Sequence, residues 1–248
     1  MFNLFPIILG FIAGSTVAFG SIIVTARKFG KTKLGYLAAF TGGILSYLAL
    51  DTGSGAEEIV NNFLISNEYK SFLVSLIITS IGFLATWISL SLFERNDQSL
   101  VVSMGLGFHN IGEGFAIAAA LLAGSISSAW AFTIGFAVHN MTEGFAISTP
   151  SFINRNKVSI IRLIILSLIA GLPTALGASI YYLGISNQIF LALLDVVASA
   201  SLVYVMVKIN ISAASLLGGF KTKFWTWIFI GVAITYGLES LLTFLGMT

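Results

Sequence analysis

The chain is 248 residues long, 57% hydrophobic and only 9% charged, with a formal charge of +2 and a mean hydropathy of +0.98. A soluble domain carries about 25% charged residues, so a water-soluble fold is a poor reading. Nucleic acid is a poor partner, because the basic residues sit in short connections rather than in one patch.

A spanning helix needs about 20 mostly apolar residues. The sequence predicts an all-α integral membrane protein with eight transmembrane helices at 5–26, 34–51, 70–93, 99–123, 127–149, 158–182, 187–209 and 224–246, a single transmembrane domain over 1–248. The first run begins almost at Met1 without a basic leader, so no cleaved signal peptide is expected. The second has the weakest helical pattern, since Gly42, Gly43, Gly53 and Gly55 interrupt it. In the sixth, Pro173 removes a backbone hydrogen bond and predicts a bend. Trp87, Trp130, Trp225 and Trp227 suit interfacial anchoring. The apolar runs are continuous rather than alternating, which argues against a β-barrel. Cysteine is absent, removing disulfides and thiolate ligands.

Charge orients the bundle. Arg27, Lys28, Lys31 and Lys33 follow the first span and Arg95 the third. Arg155, Lys157 and Arg162 follow the fifth, and Lys208, Lys221 and Lys223 lie around the connection after the seventh. With eight spans all of these share one side, while Lys70 stands on the other beside Asp51, Glu57, Glu58 and Glu68. The positive-inside rule then puts both termini outside. The acids after span two have two readings, solvation of a loop and weak attraction of cations.

Two segments carry the chemistry: Phe108-His109-Asn110-Ile111-Gly112-Glu113-Gly114-Phe115-Ala116-Ile117 and Val138-His139-Asn140-Met141-Thr142-Glu143-Gly144-Phe145-Ala146-Ile147. They hold the only two histidines of the chain. On a helix, positions i and i+4 share a face, so each segment sets an imidazole beside a carboxylate. Ionisable groups inside apolar spans are costly and mark ion pathways. If the antiparallel fourth and fifth spans meet on these faces, two imidazoles and two carboxylates converge, a shell suited to zinc, iron or nickel and extending toward manganese. Three roles are open to Asn110 and Asn140: completing that shell, forming a neighbouring site, or holding a carboxylate by hydrogen bonding. A lone histidine in an apolar helix more often serves packing than ligation, but a packing role does not account for two histidines, two glutamates and two asparagines in duplicate register. A bound cation also predicts that protons and metal compete for the site. Gly114 and Gly144 have two compatible readings, close helix packing and a locally opened helix whose carbonyls line a path.

These residues resemble the ZIP family of divalent-metal transporters, in particular its prokaryotic zinc-uptake-like branch, whose signature is a His-Asn/Ser-x-x-Glu-Gly motif in span four with a similar one in span five. The likeness covers the whole span plan and is specific over residues 105–150. It implies a primary metal site of His109, Glu113, His139 and Glu143, and an adjacent one using Asn110 and Asn140 with the two glutamates shared. It also implies a homodimer and movement of spans one, four, five and six against two, three, seven and eight. Several positions depart from the family. Gly112 and Thr142 stand where proline precedes the glutamate, so the kink there falls to Gly112 in span four. In Gly171-Leu172-Pro173-Thr174-Ala175-Leu176-Gly177-Ala178, Thr174 replaces a carboxylate of the second site, and Lys208 stands where span seven usually ends in an acid. The connection Glu94-Arg95-Asn96-Asp97-Gln98-Ser99 is too short to be the histidine-rich loop often found there.

The resulting expectation is a multi-pass protein of a prokaryotic cell membrane, in contact with lipid. It is not an enzyme. It moves Zn2+ or Fe2+, with Mn2+, Cd2+, Co2+ and Ni2+ in range, into the cytoplasm as substrate rather than cofactor. Two other readings remain: a metal-binding, sensor-like homologue that does not transport, and an intramembrane metal-dependent hydrolase, although His-Asn-x-x-Glu is not the His-Glu-x-x-His of zinc proteases. Asp195 and Glu239 each have a structural reading, favoured here, and a cavity-lining one, and Asp51 is placed where a cation would approach.

Overall fold

The computed structural model describes residues 4–26, 29–94, 97–153, 159–184 and 187–244. These form an all-helical bundle, with no strand among the described residues: α1 (Phe5–Ala26), α2 (Lys31–Ile65), α3 (Tyr69–Phe93), α4 (Gln98–Leu122), α5 (Ile126–Ile153), α6 (Ile160–Ala178), α7 (Gln188–Leu217) and α8 (Thr222–Phe244). Seven of them are long and apolar enough to cross a membrane. The remaining helix, α5, has the length, but His139, Asn140, Thr142 and Glu143 dilute its apolar run. Helix starts follow local chemistry. Asp97, Ser159 and Asn187 accept hydrogen bonds from the backbone N–H of Ser99, Arg162 and Phe190, each at 3.1 Å, satisfying amides that have no partner inside their helix. The turn between α7 and α8 needs left-handed backbone at Gly218 (φ 75°) and Gly219 (φ 114°), which glycine adopts without a Cβ clash.

The largest correction to the expected spans concerns the second. It runs from Lys31 to Ile65 rather than from 34 to 51, so Glu57 and Glu58 lie on a helix and not in a loop, and Asp51 lies well inside the helix rather than at its end. The glycines read as weakening it are contact points instead. A Cβ on Gly43 would lie 2.1 Å from the Ile228 carbonyl oxygen of α8, and one on Gly42 would lie 1.9 Å from Asn210 Oδ1 of α7. Packing therefore overrides the glycine penalty. At 1.5 Å per residue these 35 residues span about 52 Å. Even at the steepest usual tilt that exceeds a hydrocarbon core of about 30 Å, so part of α2 projects beyond it. The sixth span ends as α-helix at Ala178 and continues as a 3-10 turn over Ser179–Leu183, and the seventh extends to Leu217. Arg27, Lys28, Arg95, Arg155 and Lys157, part of the predicted charge segregation, lie outside the described residues, as do positions 158, 245 and 246 of the predicted spans.

The helices form two groups. α1, α4, α5 and α6 pack chiefly on one another, and so do α2, α3, α7 and α8; the groups meet mainly where α4 lies against α7 and α2 against α5. Close approach within the first group depends on glycine. A Cβ on Gly14 (α1) would come within 2.0 Å of the Gly171 carbonyl oxygen (α6), and one on Gly171 within 2.1 Å of the Gly14 oxygen. The main apolar core crosses both groups, joining Val17, Leu45, Val102, Leu106, Ile147, Leu166, Leu202, Val205 and Ile209. Outward, α3 shows a continuous exposed stripe of Leu73, Ile77, Ile81, Leu84 and Ile88 at helical spacing, a surface suited to lipid and not to water.

Candidate metal centre

Both motif segments stay in unbroken α-helix, so neither Gly112, Gly114, Thr142 nor Gly144 opens the backbone, and α6 likewise continues as helix through Pro173. Of the two readings of the glycines, close packing is the one realised. A Cβ on Gly114 would lie 1.9 Å from the Thr174 oxygen of α6, and one on Gly144 would lie 2.3 Å from the Val17 oxygen of α1. These contacts clamp α4 onto α6 and α5 onto α1, and so fix which way each motif faces. α4 and α5 then lie side by side, joined by a tight turn at Gly124 (φ 79°).

At their junction His109, Glu113 and His139 form one buried cluster, whose ligand-type atoms all lie within 4.8 Å of one another and could hold a metal ion. Glu113 is its centre. Its Oε1 is bonded by His139 Nε2 and lies 3.1 Å from His109 Nε2, which sits at ion-pair distance without hydrogen-bond geometry. Its Oε2 accepts a 2.9 Å hydrogen bond from Asn140 Nδ2. The His139 ring is held edge-on by Phe136 at 5.5 Å. Two imidazole nitrogens and a carboxylate are a chemically sound donor set for zinc and other divalent transition ions. A tetrahedral zinc shell sets its ligands about 3.3 Å apart, given metal–ligand bonds near 2.0–2.1 Å, so small side-chain rotations would draw this cluster onto an ion.

Glu143 is fully buried but is not a member of that cluster. Its Oε2 accepts a 3.2 Å bond from Asn110 Nδ2, which also donates to the Ala170 oxygen at 3.0 Å. The two asparagines therefore bond across the helix pair, Asn110 to Glu143 and Asn140 to Glu113, which is the carboxylate-holding role among the three left open. Among the described residues, the buried oxygens Asn110 Oδ1, Asn140 Oδ1, Glu143 Oε1 and Thr174 Oγ1 nearby have no hydrogen-bond partner. A buried polar atom without a partner is costly and calls for an explanation. Hard oxygen donors of this kind suit a cation or a bridging water.

The cluster closes one end of a cavity of about 180 Å³, whose walls also carry Asp51 of α2, Asp195 of α7 and Glu239 of α8. Asp195 lies near the start of α7 and Glu239 near the end of α8, so the cavity extends from the cluster toward the end of the bundle where Glu57, Glu58 and Glu68 stand. For Asp195 and Glu239 the cavity-lining reading replaces the favoured structural one. The sequence carried a signal for it, an acid inside an apolar span, but not the shared address. Toward the basic end the seam between α4 and α7 is apolar and tight: Val102, Leu106, Leu202 and Val205 are buried, and a Cβ on Gly105 would reach within 2.5 Å of Val205 Cγ2.

Lys208, the departure noted in the seventh span, also acquires a partner. Its Nζ bonds Glu94, the residue capping α3, and Tyr204 donates to the other Glu94 oxygen at 2.5 Å. These two bonds, first from Lys208 and then from Tyr204, hold the Glu94 carboxyl below the usual carboxylate range. A second ion pair joins Arg162 to Asp97. No protein-family model matches the chain, and no curated protein matches it in sequence.

Proposed function

We propose that this chain is a ZIP-like transporter of eight spans with both termini outside, which carries a divalent transition ion, Zn2+ or Fe2+ first, into the cytoplasm of a prokaryotic cell as a homodimer. One observation supports this above all: a buried imidazole–carboxylate–imidazole cluster at the floor of a cavity lined by three carboxylates from the opposite helix group. A structural zinc centre needs no such approach, whereas cargo does.

In this reading the acidic walls draw a hydrated cation into the cavity. His109, Glu113 and His139 replace its water, while Asn140 holds Glu113 in place. Glu143 completes the primary site once the ion pulls it from Asn110, and the oxygens of Asn110, Asn140 and Thr174 provide a weaker neighbouring position. Release inward requires the apolar α4–α7 seam to part, which the division into two helix groups permits. Proton uptake by the glutamates would ease release, since metal and protons compete for the same oxygens. The ion is cargo, so the protein is read as a transporter and not an enzyme.

The test is zinc uptake into proteoliposomes followed by an internal fluorescent chelator. Wild type loads the vesicles, and Glu113→Ala falls to the protein-free leak. Equal uptake by the two defeats the role assigned to Glu113. Thr174, standing where a carboxylate would strengthen the second position, favours one further reading, a metal binder that does not transport. Zinc binding in detergent without flux would select it.

A further inference from the structure

At the basic end of the bundle the α7–α8 turn and the first turns of α2 and α8 enclose a cavity of about 440 Å³, within the size range of small-ligand pockets. Lys221, Lys223, Thr32, Thr222 and the ring of Tyr36 line it. Lys31 and Lys33 stand at the start of the same α2 turn, and all four lysines are exposed. None of the four has a carboxylate within ion-pair distance among the described residues. The described acids at this end, Glu94 and Asp97, are already engaged by Lys208 and Arg162. The pocket is therefore a concentration of positive charge that the described protein does not neutralise.

Its surroundings place it at the membrane surface. Trp225 and Phe220 are 56% and 59% exposed beside it, and Tyr36 stacks on Trp227 with ring centroids 5.5 Å apart. Tryptophan and tyrosine of this kind settle at headgroup level. One turn further along α8, Phe229 is 70% exposed and carries the apolar surface away from the pocket toward the hydrocarbon. Cations, hydroxyls and an aromatic wall at the headgroup plane, with an apolar track leading inward, match a molecule with a phosphate at one end and an acyl chain at the other.

We infer that this pocket binds the phosphate-bearing headgroup of an anionic glycerophospholipid, with Lys221 and Lys223 as its principal contacts. The inference needs only the membrane-embedded bundle and is independent of transport. The same phosphate chemistry has a soluble source, so the experiment separates the two.

The protein, with Trp87→Phe and Trp130→Phe to leave Trp225 and Trp227 as reporters, is reconstituted into phosphatidylcholine vesicles. Brominated phosphatidylglycerol or brominated phosphatidylcholine is then mixed in, and tryptophan quenching gives their relative binding constant. Phosphatidylglycerol should be preferred about fivefold or more, the factor expected of even one lysine near an anionic lipid. K221Q/K223Q should cut the ratio by about fivefold or more, and Lys70→Gln at the opposite end should leave it unchanged. Equal quenching by both lipids in the parent protein overturns the inference, as does a preference that K221Q/K223Q leaves undiminished. A loss produced equally by Lys70→Gln also overturns it, because it would mark bulk surface charge rather than a site. Abolition of the preference by millimolar inorganic phosphate overturns the lipid assignment in favour of a soluble phosphate.

Discussion

The α4 and α5 motifs share their His-Asn-x-x-Glu-Gly-Phe-Ala-Ile pattern, yet the structure gives them unequal work. Glu113 gathers both histidines and Asn140 and faces a cavity, whereas Glu143 holds one hydrogen bond from Asn110 and leaves an oxygen without a partner. The cause lies in the neighbours and not in the motifs. Both clamps lie within the first group, Gly114 holding α4 onto α6 and Gly144 holding α5 onto α1, while across the group boundary α4 packs along α7 more extensively than α5 packs along α2. A repeated motif thus supplies donors in duplicate, and packing decides which copy presents its carboxylate and which keeps it in reserve.

The sharpest way to break this comparison is to remove the two carboxylates separately. Glu113→Ala should weaken zinc binding in detergent, measured by chelator competition, by more than about 100-fold, since it deletes the ligand that both imidazoles share. Glu143→Ala should cost about 10- to 100-fold, the range for groups that support ligands rather than lead them. Equal losses would make the motifs equivalent and the asymmetry irrelevant to binding.

Next in size are the glycines that set the asymmetry. Gly114→Ala and Gly144→Ala would push a methyl group to within 1.9 and 2.3 Å of backbone oxygens that have no freedom to retreat. Each should cost about 1–3 kcal/mol, as overpacking does, and lower the thermal midpoint in detergent. Gly112→Ala meets only Ala198 Cβ at 3.6 Å, an ordinary contact, and should stay near wild type in stability. If all three behave alike, the clamps are not what orients the helices.

How much of this was legible beforehand follows from the range of each signal. The i,i+4 spacing of His109 with Glu113 and of His139 with Glu143 is local, so the shared helix faces could be read directly. The apolar runs located all eight helices for the same reason. The bonds that cross from Asn140 to Glu113 and from Asn110 to Glu143 depend on the rotation of one helix against the other, which no single segment encodes. Asp51, Asp195 and Glu239 reach one cavity from three helices far apart in sequence. Gly53, one of the four glycines that weaken the helical pattern of the second span, packs instead against α7, where a Cβ would meet Ser199 Oγ at 3.1 Å. Lys208 looked like a lost acid because its partner Glu94 is a remote residue at the end of α3.

The cavity acids sharpen the contrast between binding and delivery. Asp195→Asn with Glu239→Gln should leave equilibrium zinc affinity within about threefold of wild type, because neither belongs to the cluster. Initial uptake at low ionic strength and low zinc should slow about tenfold, the lower end of what electrostatic steering provides, and the deficit should shrink as salt rises. An affinity loss as large as that of Glu143→Ala would move these acids from the approach to the site itself.

The smallest effect belongs to the ion pair at the far end of the α3–α7 contact, and its pH dependence gives it a distinct signature. The Glu94 carboxyl lies below its ordinary value of 4.5 because Lys208 and Tyr204 bond the ionised form. A carboxyl depressed in the folded state stabilises it at every pH above that ordinary value, and the contribution disappears as pH falls through the lowered one. Both side chains of the pair are about a third exposed, 33% for Glu94 and 30% for Lys208, so water screens the interaction and about 0.5 kcal/mol is the appropriate scale. Glu94→Gln should therefore be less stable than wild type by about that amount at pH 7. The two proteins should converge as pH drops below 4.5, a difference in which the other carboxylates cancel. A gap that stays constant down to low pH would mean that Glu94 acts through packing at the end of α3 and not through its charge.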